Sequence, residues 1–82
     1  MKYLVKDTII NLENNEIMVF YTGKDGYVHE FKEYADGYSK RGFAKRYIEK
    51  ELNNFFNTKI DELHSIENGK WLHHYEIIEV AD

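Results

Sequence analysis

The sequence predicts an α+β domain: a small, mostly antiparallel sheet in the order β-β-β-α-(α or β)-β, with one main amphipathic helix, about residues 39–56, packed on one face. Three observations carry that expectation. Ser39 to Phe56 (SKRGFAKRYIEKELNNFF) sets Phe43, Ala44, Tyr47, Ile48, Leu52 and Phe55 within one half of a helical wheel, the pattern of a helix laid on something else. The segments on either side of it are rich in β-branched and aromatic residues, which favour pleated structure. Asp25-Gly26 and Asn68-Gly69 are the dipeptides that tight hairpin turns require, because their backbones take positive φ readily. The 82 residues make one domain, 1–82, which at this size buries roughly 60% of the surface its unfolded chain exposes.

Taken in order, KYLVKDTIIN at 2–11 reads as a first strand, followed by a polar turn at Leu12-Glu13-Asn14-Asn15. EIMVFYT at 16–22 is a second strand, paired with the first as an antiparallel hairpin. Its continuous apolar run predicts a central position in the sheet. After Gly23-Lys24-Asp25-Gly26, the segment YVHEFKEY at 27–34 alternates, with Tyr27, His29 and Phe31 on one parity, so a half-buried third strand is expected there. Ser39 is the expected helix N-cap, since its hydroxyl accepts from a free backbone N–H, with Asp36 as the competing choice. Lys40 and Arg41 then fall in the first turn, against the helix dipole. Residues 58–67 (TKIDELHSIE) space Ile60, Leu63 and Ile66 by three, which favours a second short helix or irregular segment over a strand. KWLHHYEIIEV at 70–80 carries large apolar groups on both parities, which predicts a strand inside the sheet.

Composition narrows the function classes. With no cysteine there is no disulfide framework, thiolate metal site or catalytic thiol. Aromatic residues make up 16%, with seven Tyr, five Phe and one Trp. No run of 18 apolar residues exists, and Lys6 and Asp7 interrupt the apolar N-terminal stretch, so no membrane span or signal peptide is expected and the protein reads as cytoplasmic. The chain has no G-x-S-x-G elbow, G-x-G-x-x-G, P-loop or H-E-x-x-H, so neither catalysis nor a cofactor is expected. The four histidines are His29, His64, His73 and His74. His29 and His73 would meet if their strands paired, but their spacing fits no zinc motif.

Net charge is −4, yet residues 40–50 hold Lys40, Arg41, Lys45, Arg46 and Lys50 against Glu49 alone, a local +4 that leaves −8 on the remainder. A basic helix in an acidic body suggests nucleic acid as one partner. On a wheel with Phe43 at zero, only Arg46 and Lys50, at about 300° and 340°, share a face. The surplus of aromatics suggests instead a protein-binding surface, because Tyr, Trp and Arg concentrate binding energy at interfaces. Its candidate members are Arg46, Lys50, Tyr21, Tyr27, Tyr34, Tyr38 and Trp71. Homodimerisation through a sheet face or an edge strand would draw on the same surplus.

KYLVKD at 2–7, GYSKRGFAKRYIEKEL at 37–52 and YEIIEV at 75–80 together resemble a group of short open reading frames of phages and prophages of Gram-positive bacteria. In these a strand-rich N-terminal half is followed by one amphipathic helix and a closing YEIVEV-like strand. The resemblance implies a mobile-element accessory protein that binds another protein, such as a host or defence factor, and supplies no catalytic residue. The alternative is a nucleic-acid-associated factor using the basic helix at 40–50.

Overall fold

A computed structural model of the chain describes the backbone of residues 1–56 and 63–81, and the side chains of 1–51 and 69–81. It contains β1 (Lys2–Asn11), β2 (Ile17–Thr22), β3 (Val28–His29), α1 (Arg41–Phe56), β4 (Leu63–Asn68) and β5 (Trp71–Val80). The strands form one sheet in the order β3-β2-β1-β5-β4, each neighbouring pair antiparallel. The α+β architecture and the single main helix are those the sequence predicts. No helix among the described residues is long and apolar enough to cross a membrane.

β1 is the centre of the sheet. It pairs with β5 over its full length, from Lys2 opposite Val80 to Asn11 opposite Trp71, and with β2 from Val5 opposite Thr22 to Ile10 opposite Ile17. Directly opposed residues share a face, so Val5, Asp7, Thr22, Val28, His73, Tyr75 and Ile77 stand on one side. α1 packs on that side. Its Ala44 and Ile48, both 0% exposed, close on Val5, Tyr75 and Ile77, with Tyr3, Tyr38 and Tyr47 around them. The buried stripe is an i, i+4 pair, and burying Ile48 alone contributes roughly 1.5–3 kcal/mol.

Several expectations need correction. α1 begins at Arg41, and the carbonyl of Lys40 accepts the Phe43 N–H at 3.1 Å, so Lys40 and not Ser39 occupies the capping position. Phe43 lies at the edge of the helical stripe and is exposed, with the Arg46 guanidinium 5.6 Å over its ring. Leu52 and Phe55 lie outside the described side chains. The third strand is only Val28–His29, followed by a 3₁₀ turn at Lys32–Tyr34. β2 is therefore flanked over most of its length by β1 alone, not central. The C-terminal part of 58–67 is strand β4, because a two-residue turn at Gly69-Lys70 folds it back on β5. Gly69 takes φ 63° there, the left-handed geometry such turns need. The expectation for 58–62 lies outside the described residues.

The two ends of the sheet are closed differently. At one end Asn15, at φ 62°, and the buried Asn11 shape the β1–β2 turn, and the Leu12 N–H donates to the Lys70 carbonyl at 2.7 Å. At the other end β2 stops at Thr22, and Tyr38 takes its place beside β1: the Tyr3 and Tyr38 N–H groups donate to each other's carbonyls at 2.9 and 2.8 Å. Between them residues 23–37 form a loop that rejoins the sheet only at β3, Val28–His29 beside Tyr21 and Thr22, and is pinched where the Lys24 N–H donates to the Asp36 carbonyl at 2.7 Å. The pinch covers Leu4, which is 0% exposed and faces away from α1. A Cβ on Gly23 would collide with the Asp36 carbonyl oxygen, and one on Gly37 would meet the Lys2 Cβ at 2.8 Å. Glycine is required at both points of close approach.

Candidate interaction site

Beyond its pinched base the loop is held by the short pairing of Val28–His29 with β2 and by its own short-range hydrogen bonds. The Gly26 N–H donates to the Gly23 carbonyl at 3.1 Å, with Gly26 at φ 77°. One oxygen of Asp25 accepts from the Tyr27 N–H at 3.1 Å and the other meets His29 Nε2 at 3.0 Å. The carbonyls of Phe31 and Lys32 accept from Tyr34 and Ala35. The backbone is thus satisfied locally, which frees the side chains from any need to pack. Tyr27 is 72% exposed, Val28 60%, Phe31 57% and Tyr34 71%. Phe31 and Tyr34 meet edge to face, ring centroids 5.8 Å apart, the geometry aromatic pairs prefer.

The structure distributes the residues singled out from the sequence. Tyr27 and Tyr34 share this loop. Tyr21 is half-buried on the sheet face away from α1, opposite Lys6 and His29. Tyr38 is half-buried against the core, and burial raises its hydroxyl above the ordinary tyrosine range. Arg46 and Lys50 are exposed on α1. Trp71 is half-buried at the far end of β5, with the Lys70 ammonium 5.4 Å from its ring. It is opposite Asn11, eight residues along β1 from Tyr3, or roughly 27 Å. Tyr27 and Tyr34 are joined by Val28, which is in β3 as alternation expects, and by Phe31, which alternation assigned to the same strand but which lies beyond it. His29 and His73 stand on opposite faces of the sheet and do not meet.

Under α1 lies a second feature that no local pattern announces, a cavity of about 230 Å³ between the helix and the outer part of the sheet. Its floor is Val5, Thr22 and Tyr75, exposed by 1%, 5% and 8%. Tyr47 and Glu51 reach it from α1, Asp7 and His73 from β1 and β5, Phe20 and Val28 from β2 and β3. Val28 is the one exposed residue among the described lining, so it marks the mouth. Asp7 Oδ2 lies 3.3 Å from His73 Nδ1. Its other oxygen is buried without a partner among the described residues. Burial holds the Asp7 carboxyl above the usual aspartate range, against the pull of His73 and aided by the nearby Glu51. The Tyr47 hydroxyl hydrogen-bonds Thr22, yet desolvation still raises it, and the same cause pushes Tyr75 well above the tyrosine range. His73 stacks on Tyr75 at 6.1 Å between centroids. The sequence signal for this site is weak: Asp7 and His73 are 66 residues apart, and only the β1–β5 register brings them together.

No protein-family model matches this chain, and comparison with curated proteins and with solved structures returns no significant match.

Proposed function

We propose that the protein acts without catalysis, as a small cytoplasmic accessory protein that binds another protein through the tip of its 24–35 loop. The observation that carries the reading is the exposure of Tyr27, Val28, Phe31 and Tyr34, each above half, on a loop whose base is closed by hydrogen bonds. Such a surface is held in shape before any partner arrives. Binding therefore costs little ordering entropy, and aromatic groups bury large areas with few rotors to freeze. The resemblance to short phage and prophage reading frames supports a mobile-element origin and makes a host or defence factor the partner to look for.

The second reading, a nucleic-acid-associated factor, is favoured by the exposure of Lys40 at the helix cap and of Arg46 and Lys50 on α1. Affinity capture from a Gram-positive host lysate, with and without nuclease, separates the two. The loop reading expects a protein retained by the wild type after nuclease and lost by the Phe31→Ser, Tyr34→Ser double variant. A partner that disappears with nuclease and is indifferent to those two substitutions overturns it. For the nucleic-acid reading, three phosphate contacts would give a log–log salt slope of about −2.7 on duplex DNA, and a flat salt series excludes it.

A further inference from the structure

The cavity under α1 has a chemistry that the loop does not explain. Asp7 and Glu51 both line it, whereas no lysine or arginine occurs among its described lining residues, in a chain with 11 of them. Three of its walls are the rings of Phe20, Tyr47 and Tyr75. Carboxyl groups set among aromatic faces form the environment that receives an organic cation, which gains from both the charge and the ring quadrupoles. One oxygen of Asp7 is buried and has no partner among the described residues, so the site holds an acceptor that an incoming N–H donor would satisfy. Size restricts the occupant. About 230 Å³ is below the roughly 300–1,000 Å³ of sites for drug-sized molecules, but it admits the end of one long side chain. The mouth is marked by Val28, which also belongs to the exposed loop tip.

We infer that this cavity takes the cationic side chain, arginine or lysine, of a protein partner whose apolar surface rests on the loop tip. The inference rests on the loop reading above and adds to it the character of the partner: a basic residue beside an apolar patch. Arginine suits the site better, because its planar guanidinium both stacks on rings and bonds a carboxylate through two N–H groups.

The test uses the full chain and defined probes. A capped Gly-Ser-Arg-Ser-Gly peptide is titrated into the protein while the methyl signals of Val5 and Val28 and the ring signals of Tyr47 and Tyr75 are followed by NMR. The expected result is saturable shifts at all four residues, at least tenfold weaker binding of the same peptide with neutral citrulline in place of arginine, and a similar loss in Glu51→Gln. Asp7→Asn provides a second variant should Glu51→Gln perturb α1. Equal binding of the arginine and citrulline peptides, or shifts that avoid the cavity residues, overturns the proposal. Free methylguanidinium binding as tightly as the peptide overturns its partner component and leaves a small-cation site. Failure of the loop reading is read separately: capture of a protein partner that survives Phe31→Ser with Tyr34→Ser counts against the loop and leaves the peptide titration to judge the cavity, whereas unchanged capture by Glu51→Gln counts against the cavity alone.

Discussion

Among the described residues, Asp7–His73 at 3.3 Å and Asp25–His29 at 3.0 Å are aspartate–histidine contacts of similar length, and their carboxyl groups shift in opposite directions. Asp25 sits on the loop with its side chain partly open to solvent, and its hydrogen bond to His29 lowers its pKa. Asp7 lies beneath α1, where desolvation outweighs the same kind of partner and raises it. Near-identical chemistry thus gives opposite signs, and burial decides which. The loop pair is a local fastening in a segment that keeps its shape in water. The helix-covered pair is a polar group held at a cost, and such groups mark places where function can be sought.

The sharpest way to break the comparison is to remove the cover. Ile48→Ala deletes a fully buried side chain between α1 and the sheet, and should cost about 3 kcal/mol in urea denaturation. In the same variant, ¹³C titration should find the Asp7 carboxyl moving back toward its ordinary value of 3.8 while Asp25 stays put. Gly23→Ala comes next, at roughly 2 kcal/mol, because the new methyl group collides with the Asp36 backbone at the pinch. The Asp25–His29 contact spans only residues inside the loop and should survive it, as the titration of Asp25 will report.

Asp7→Asn sharpens the comparison through pH. The raised native pKa means that folding binds a proton at Asp7 between 3.8 and the higher native value. Its contribution is therefore full below 3.8 and lost as pH rises through the native pKa. The stability of the wild type relative to Asp7→Asn should fall as pH is raised through that window and level off above it. A difference that grows with pH would contradict the burial account. The smallest effect is expected from His29→Ala: Asp25 should rise toward 3.8 with no change in the urea midpoint, since both groups of this pair remain accessible to water.

The same contrast explains what the residue pattern made legible. Ala44 and Ile48 follow from helical period, and the Gly69 and Gly26 turns from backbone chemistry, because each depends on neighbours a few positions away. Segment 27–34 satisfies strand alternation equally well, but a strand needs a hydrogen-bonded neighbour. On β2 only Tyr21 and Thr22 provide one, so the chain used Asp25 and the Phe31 carbonyl instead. Ile60, Leu63 and Ile66 fit a helix by spacing, yet the Gly69-Lys70 turn places 63–68 beside β5 and the sheet prevails. In the candidate site, Tyr27 and Tyr34 were visible as surplus aromatics. The cavity was not, since Thr22, Tyr47, Glu51 and His73 are ordinary residues until the β1–β5 register and the helix bring them together.

That register also bears on how the chain can assemble. The neighbour that β1 requires along its whole length is the strand ending at Val80, so a β1–β2 hairpin formed alone would keep one bare edge until that distant segment docks. Closing so long a loop is entropically unfavourable and slows assembly. While it lasts, the unpaired side of Lys2–Asn11 is open to strands of other nascent chains, and crowded synthesis is the condition under which this protein would be most prone to aggregate.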